Sequence, residues 1–312
     1  KIQAAIALRK QLLSEPLPSA YRLINAESDG LPGLIVDHYD TWLVCQFLTA
    51  GMEFFRDAII QSLSTHYPNH SIYERSDASS RQKEGLEEKI GVIKGETPTA
   101  PILITEGNAK YWVDLVDGHK TGFYLDQRTN REMIMGLSQN KNVLNCFSYT
   151  GGFGIAAGLG GAKRVLNIDS SEPAVALGEK NAKENQLNQV HFEKADVFAF
   201  LRRQTDAPLF DLIILDPPKF ANSTSQINPA ARGYKDINRL AMKALKPNSF
   251  LVTFSCSGHI EEALFKKIIM SAAEEAQREV HFLRTLQQSP DHPVVSFFPE
   301  SHYLKGFLLY VR

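Results

Sequence analysis

From about residue 140 onward, short apolar runs alternate with amphipathic stretches, and this alternation constrains the fold more than any other feature of the chain. Residues 143–147, 165–168, 190–193, 212–215 and 250–254 predict strands. The intervening residues 154–159, 172–185, 237–245 and 260–276 predict helices. In the third of these, Ile237, Leu240, Ala241, Ala244 and Leu245 recur at i, i+3, i+4, i+7 and i+8, which is one buried helix face. Strands that are apolar on both faces and joined by helices imply a parallel sheet covered on each side, a doubly wound α/β architecture.

The first third has a different texture. Ile2, Ala5, Ile6, Leu12 and Leu13 predict a helix over residues 1 to about 14. Turns at Asp29-Gly30 and Pro32-Gly33 then punctuate strands at 34–36 and 42–47. A helix is expected over 52–63, a strand over 72–75, and a polar loop over 76–95. Residues 102–106 and 110–115 flank Gly107-Asn108 and predict a hairpin. The expected division is therefore a helix plus a small α+β domain over 1–115, followed by a Rossmann-like domain over 116–312.

With 43% hydrophobic and 22% charged residues, the 312-residue chain has the material for a real core. No run approaches the roughly 18 apolar residues of a membrane span, and the first residues carry no signal-peptide pattern. Starting at Lys1 without Met, the chain reads as a piece of a longer protein. Cys45, Cys146 and Cys256 are too few and too scattered for a disulfide framework or a metal site, so no metal and a reducing, cytoplasmic setting are expected. A net charge of −1 argues against indiscriminate nucleic-acid binding, so any RNA contact is expected to rest on a local basic patch or on a missing domain.

The first core strand runs into Asn145-Cys146-Phe147-Ser148-Tyr149-Thr150-Gly151-Gly152-Phe153-Gly154. A glycine cluster between strand and helix lets backbone pass close to a ligand. It is neither the dinucleotide fingerprint nor a Walker loop. The second strand ends in Asp169-Ser170, where an acid can hold the two hydroxyls of a ribose or cap the next helix. After the third strand, Asp196-Val197 suits an adenine, with the acid at its amino group and the apolar side chain on its face. In series these features point to an adenosine-containing ligand. Without a pyrophosphate loop, S-adenosylmethionine fits better than NAD or ATP.

The fourth strand delivers Asp216-Pro217-Pro218-Lys219-Phe220 at the edge where open α/β sheets bind ligands. Asp216 reads as a group that exchanges a hydrogen bond with a base edge, or as a turn former. The fifth strand ends in Ser255-Cys256-Ser257-Gly258. A thiolate there would add to carbon 6 of a pyrimidine and make carbon 5 nucleophilic, whereas a packed core thiol is the other reading. Cys45 and Cys146 read as packing residues. Between Gly118 and Arg131, Tyr124, Gln127 and Arg128 suit a lid over the cofactor, with Gln127 or Arg128 meeting a carboxylate, unless the segment is only a polar surface turn. Lys219, Arg232 and Lys235 are candidates for RNA phosphates and Tyr234 for stacking on an unpaired base, unless the cluster is only a solvated helix start.

At these residues the chain closely resembles the ribosomal RNA large subunit methyltransferase I family, which makes 5-methylcytosine in 23S rRNA. The resemblance rests on Glu27-Ser28-Asp29-Gly30-Leu31-Pro32-Gly33, residues 119–128, 145–153, 216–220, 232–238 and 253–258, and Tyr303-Leu304-Lys305-Gly306-Phe307. It implies a class I methyltransferase fold, doubly wound with a mostly parallel seven-stranded sheet, preceded by a small α+β domain. It also implies an N-terminal PUA domain that this chain lacks. S-adenosylmethionine would be the cofactor, with S-adenosylhomocysteine as product, and 23S rRNA or a ribosomal particle the partner. Many RNA cytosine-5 methyltransferases carry a second cysteine after the fourth-strand proline; here Pro218 stands there, as in this family. Cys256 would therefore be the nucleophile, with Asp216 steadying the base. Nitrogen methylation of a base and a non-catalytic RNA-binding role are the alternatives. No membrane association is expected, and a homodimer stays open.

Overall fold

The computed structural model describes residues 1–13, 17–204, 209–221 and 223–312. It divides into two compact units: Lys1–Arg128 with Ser289–Ser301, and Thr129–Gln288 with His302–Arg312. The boundary expected at 115/116 and the compact units differ in where residues 116–128 and 289–301 belong.

The first unit opens with α1 (Ile2–Leu12); Ser14, the expected end of this helix, lies outside the described residues. A five-stranded sheet follows, in the order β1 (Ala20–Asn25), β2 (Leu34–Tyr39), β3 (Trp42–Phe47), β4 (Ser71–Ser76), β5 (Lys89–Lys94). The helix expected at 52–63 is two pieces, α2 (Ala50–Phe54) and α3 (Arg56–His66). Ile2, Ala5, Ile6, Leu43, Cys45, Ile59, Leu63 and Ile72 pack into one core on this sheet. The polar stretch 76–95 is not a plain loop: it contains α4 (Ser80–Lys83) and the edge strand β5. Edge strands tolerate charge and exposure, so β5 carries no apolar alternation to reveal it. The hairpin forms as expected, from β6 (Ile102–Glu106) and β7 (Ala109–Val113).

The second unit is built on a seven-stranded sheet. Its strands in chain order are β8 (Asn142–Cys146), β9 (Arg164–Asp169), β10 (Val190–Lys194), β11 (Phe210–Leu215), β12 (Leu245–Ser255), β13 (Val280–Leu286) and β14 (Lys305–Val311). Across the sheet they run β10-β9-β8-β11-β12-β14-β13. The first five are parallel, and β14 pairs antiparallel with both β12 and β13. This is the doubly wound, mostly parallel class I methyltransferase fold. Around the sheet lie α5 (Arg128–Leu137), α6 (Gly152–Leu159), α7 (Glu172–Glu184), α8 (Val197–Arg203), α9 (Ile227–Ala244) and α10 (Glu262–Ala276). The order reverses between β8 and β11, which places a topological switch point beside the glycine turn. Among the described residues, no helix is long and apolar enough to cross a membrane.

Candidate active site

The parallel strands deliver the candidate residues to one edge of the second unit's sheet. β8 ends at Cys146 and turns through Phe147, Tyr149 and Gly151, all with positive φ (56°, 48° and 81°). Two non-glycine residues in this region are costly, and such strain persists where surrounding contacts hold it. Here the Ser148 N–H donates to the Ile168 carbonyl at 3.0 Å, and the Tyr149 N–H donates to Asp169 Oδ2 at 2.7 Å. Gly151 is required twice over, since a Cβ at this φ would also lie 2.5 Å from the Phe192 ring.

Asp169 closes β9 and is half-buried. Its other oxygen accepts the Ser171 N–H at 2.9 Å, so the carboxylate pins the glycine turn to the second strand. Each oxygen retains a lone pair, so this bracing leaves room for a ribose. The helix cap on α7 is Ser171 and not Asp169, while Ser170 is exposed. Asp196 caps α8, accepting the Ala199 N–H at 2.8 Å through one oxygen. Val197 does not offer its side chain to a ligand: it is 3% exposed and belongs to the core. Phe198 is the partly exposed apolar residue there. It stands second in a row of rings, Phe147–Phe198 at 6.5 Å, Phe198–Phe220 at 6.3 Å and Phe220–Tyr234 at 4.6 Å. Phe198 was missed, one residue beyond the expected pair, and Phe220, the last residue of the fourth-strand motif, was given no role.

Asn145, Ser148 and Thr150 are buried, yet among the described residues Asn145 Oδ1, Ser148 Oγ and Thr150 Oγ1 find no hydrogen-bond partner. Such atoms are expensive to leave unmade, and their clustering in the strained turn suits a polar ligand. The residues present therefore fit the adenosyl group of S-adenosylmethionine.

β11 and β12 are parallel neighbours with Leu215 opposite Thr253, so Asp216 and Cys256 leave the same edge of adjacent strands. Asp216 is half-buried, Pro217 buried, and Pro218 and Lys219 exposed. Of the cysteines, Cys45 and Cys146 are 0% exposed, and burial pushes both thiols well above the usual range. Cys256 is only partly buried. Its neighbours are held from behind: the Ser255 hydroxyl donates to the Tyr234 hydroxyl at 3.0 Å, and the Ser257 and Tyr234 hydroxyls lie 3.2 Å apart. The expectation that Tyr234 stacks on a base is thus corrected. It is 0% exposed because it lies on the buried face of α9 with Ala230, Ile237 and Ala241, and it braces the tip of β12. Arg232 is exposed on α9, and Lys235 pairs with Glu275 of α10 at 2.6 Å.

Tyr124, Gln127 and Arg128 belong to the first unit. Tyr124 lies under the Lys120 ammonium at 4.5 Å, and Gln127 is buried. The carboxylate that Arg128 meets in this structure is Asp291, at 2.8 Å.

A seven-stranded α/β sheet with a glycine turn and acids at successive strand tips defines an S-adenosylmethionine-dependent methyltransferase, and residues 88–308 match the protein family of that description. The chain is 50% identical to the ribosomal RNA large subunit methyltransferase I of Aeromonas salmonicida, across 100% of this chain and 80% of that one. It is 49% identical to the protein of the same name from Photobacterium profundum, across 100% and 79%. The chain belongs to this ribosomal RNA large subunit methyltransferase I family. Among solved structures, a candidate methyltransferase, SMU.776, in complex with SAH superposes with a TM-score of 0.85 at 27% identity, covering 99% of this chain and 81% of that one.

Proposed function

We propose that the protein methylates carbon 5 of a cytosine in 23S rRNA, in the cytoplasm, with Cys256 as transient nucleophile. The observation that carries this reading is the contrast among the three thiols: two are sealed in cores, and the partly exposed one stands at the strand tip next to that of Asp216. Bound S-adenosylmethionine supplies an electrophilic methyl group and leaves as S-adenosylhomocysteine. Asn145, the 147–151 turn, Asp169, Asp196 and Phe198 would hold it.

The remaining steps belong to the chain and its substrate. The Cys256 thiolate adds to carbon 6 of the base, forming an S–C bond and pushing electron density to carbon 5. Asp216 hydrogen-bonds the ring near nitrogen 3 and favours this addition. After carbon 5 gains the methyl group, a base takes its proton, the electron pair re-forms the 5,6 double bond, the S–C bond breaks and the thiolate returns. A base must be turned out of its stack to reach such a site. Lys219 and Arg232 are exposed cations suited to the phosphates beside it, while Glu275 already neutralises Lys235.

In the test, purified enzyme methylates 23S rRNA with labelled cofactor, and the RNA is digested to nucleosides. The expected product is 5-methylcytidine, with Cys256→Ala at least ~1,000-fold slower while still binding S-adenosylmethionine. A nitrogen-methylated nucleoside, or normal turnover by Cys256→Ala, overturns the proposal.

A further inference from the structure

Lys305 is the first residue of β14 and lies inside the seven-stranded sheet's own unit, 4% exposed. Its ammonium donates to the carbonyl oxygen of Ser257 at 2.8 Å, and among the described residues no carboxylate forms an ion pair with it. In the antiparallel register Lys305 stands opposite Ser255. The cation is thus tied to the residue after Cys256 and paired across strands with the residue before it. A buried ammonium without a counter-charge is costly, and replacing it with an apolar side chain would ordinarily stabilise a fold. The chain nevertheless places it here, against the one partly exposed cysteine.

We infer that Lys305 is a positioning residue for the methyl transfer: its ammonium is the counter-cation that holds Cys256 as a thiolate and fixes the strand tip carrying it. The inference rests on the reading of Cys256 as nucleophile. Electrostatics act in both directions, so a thiolate that relieves a buried cation is itself stabilised by that cation. Burial lowers the Lys305 pKa, and the charge on Cys256 works to raise it again. The other charged or titratable groups around the pair are Lys219, Glu261 and Glu262 about Lys305, and Asp216 about Tyr234, which itself faces Cys256. Of the cations in this set, Lys219 is exposed to water and Lys305 is not, so screening leaves Lys305 as the effective one.

The experiment is the pH dependence of iodoacetamide alkylation, read by intact mass on the 312-residue chain. Cys45 and Cys146 are sealed, so the folded protein reports Cys256, with Cys256→Ala as the blank. In the wild-type chain the midpoint is expected below the ordinary thiol value of about 8.5. Lys305→Met is expected to raise the midpoint by about one unit and slow alkylation at pH 7 about tenfold, with Lys305→Arg staying near wild type. S-adenosylmethionine binding by Lys305→Met reports that its fold is intact. An unmoved midpoint in a folded Lys305→Met overturns the inference, because a merely structural hydrogen bond to Ser257 would leave it unmoved. A wild-type midpoint at or above the ordinary value overturns it without any variant. Trapping on rRNA containing 5-fluorocytosine separates the two readings. If no adduct forms although Lys305→Met shifts the midpoint, the cation–thiolate pairing stands and the nucleophile reading alone falls.

Discussion

Around the five-stranded sheet, the buried charges Asp37 and Arg9 each sit in a hydrogen-bonded ion pair. Asp37 is 1% exposed and receives Arg22 Nε at 2.5 Å and the Thr121 hydroxyl at 2.6 Å. Arg9 is 1% exposed and forks onto both oxygens of Asp29, at 2.6 and 2.8 Å. At the carboxyl edge of the seven-stranded sheet the pattern is the opposite. There, among the described residues, Asn145, Ser148 and Thr150 keep polar atoms without partners, and Lys305 meets a carbonyl but no carboxylate. The first arrangement is what a scaffold needs, with these charges answered by the chain itself. The second is what a binding edge needs, with groups kept ready for something outside the chain.

That contrast is breakable at its first half by Asp37→Ala. Removing the acid takes the carboxylate away from the buried Arg22 guanidinium, and unfolding free energy should fall by ~3–5 kcal/mol in a urea titration. A loss within 0.5 kcal/mol would mean the pair is not a structural keystone. Acid should probe the same region somewhat more gently. Burial first, and His70 second, push the His38 imidazole down to about 4. The folded state therefore keeps His38 neutral while the unfolded state takes a proton near pH 6.5. Its contribution is complete above about pH 6.5 and is lost as pH falls toward 4, by up to ~3 kcal/mol. Comparing urea midpoints at pH 7.5 and 4.5 for wild type and His38→Gln checks this, the variant being expected to show the smaller drop. At the ligand edge, stability should hardly notice a substitution that binding does notice. Asp196→Ala loses a helix cap, about 1 kcal/mol, while calorimetry should show weakened S-adenosylmethionine binding. Unchanged cofactor affinity would leave Asp196 as a cap and nothing more.

The parallel strands β8 and β11 and the end of β12 were legible because they are buried, so each reads as an apolar run. Edge strands such as β5 were not, since Lys89, Gly91 and Lys94 break the alternation that a half-buried strand would show. The C-terminal pair β13 and β14 was expected only through the family resemblance, because β13 is mostly half-exposed to exposed along its length. Site residues at strand tips followed from strand order, which is why Asp169, Asp196, Asp216 and Cys256 share one edge. Side-chain direction did not follow. Tyr234 sits in a basic, polar segment, yet stepping back from Ile237 by three residues reaches it, and from Ala241 by seven. Extending the helical period N-terminally would have shown it facing inward. Val197 and Phe198 differ by one position on α8, and a motif read by residue type cannot separate them.

The chain passes from one compact unit to the other at residues 128/129, 288/289 and 301/302. Splitting the protein at a single peptide bond therefore cannot yield two whole pieces. A fragment ending at Arg128 would leave Arg9, Arg22 and Arg128 without Asp291, which the returning segment brings to them. Its complement would carry that carboxylate with nothing to receive it. Anyone seeking the catalytic half in isolation would have to excise the 289–301 loop as well, and bridge the gap so that β14 can still enter the sheet.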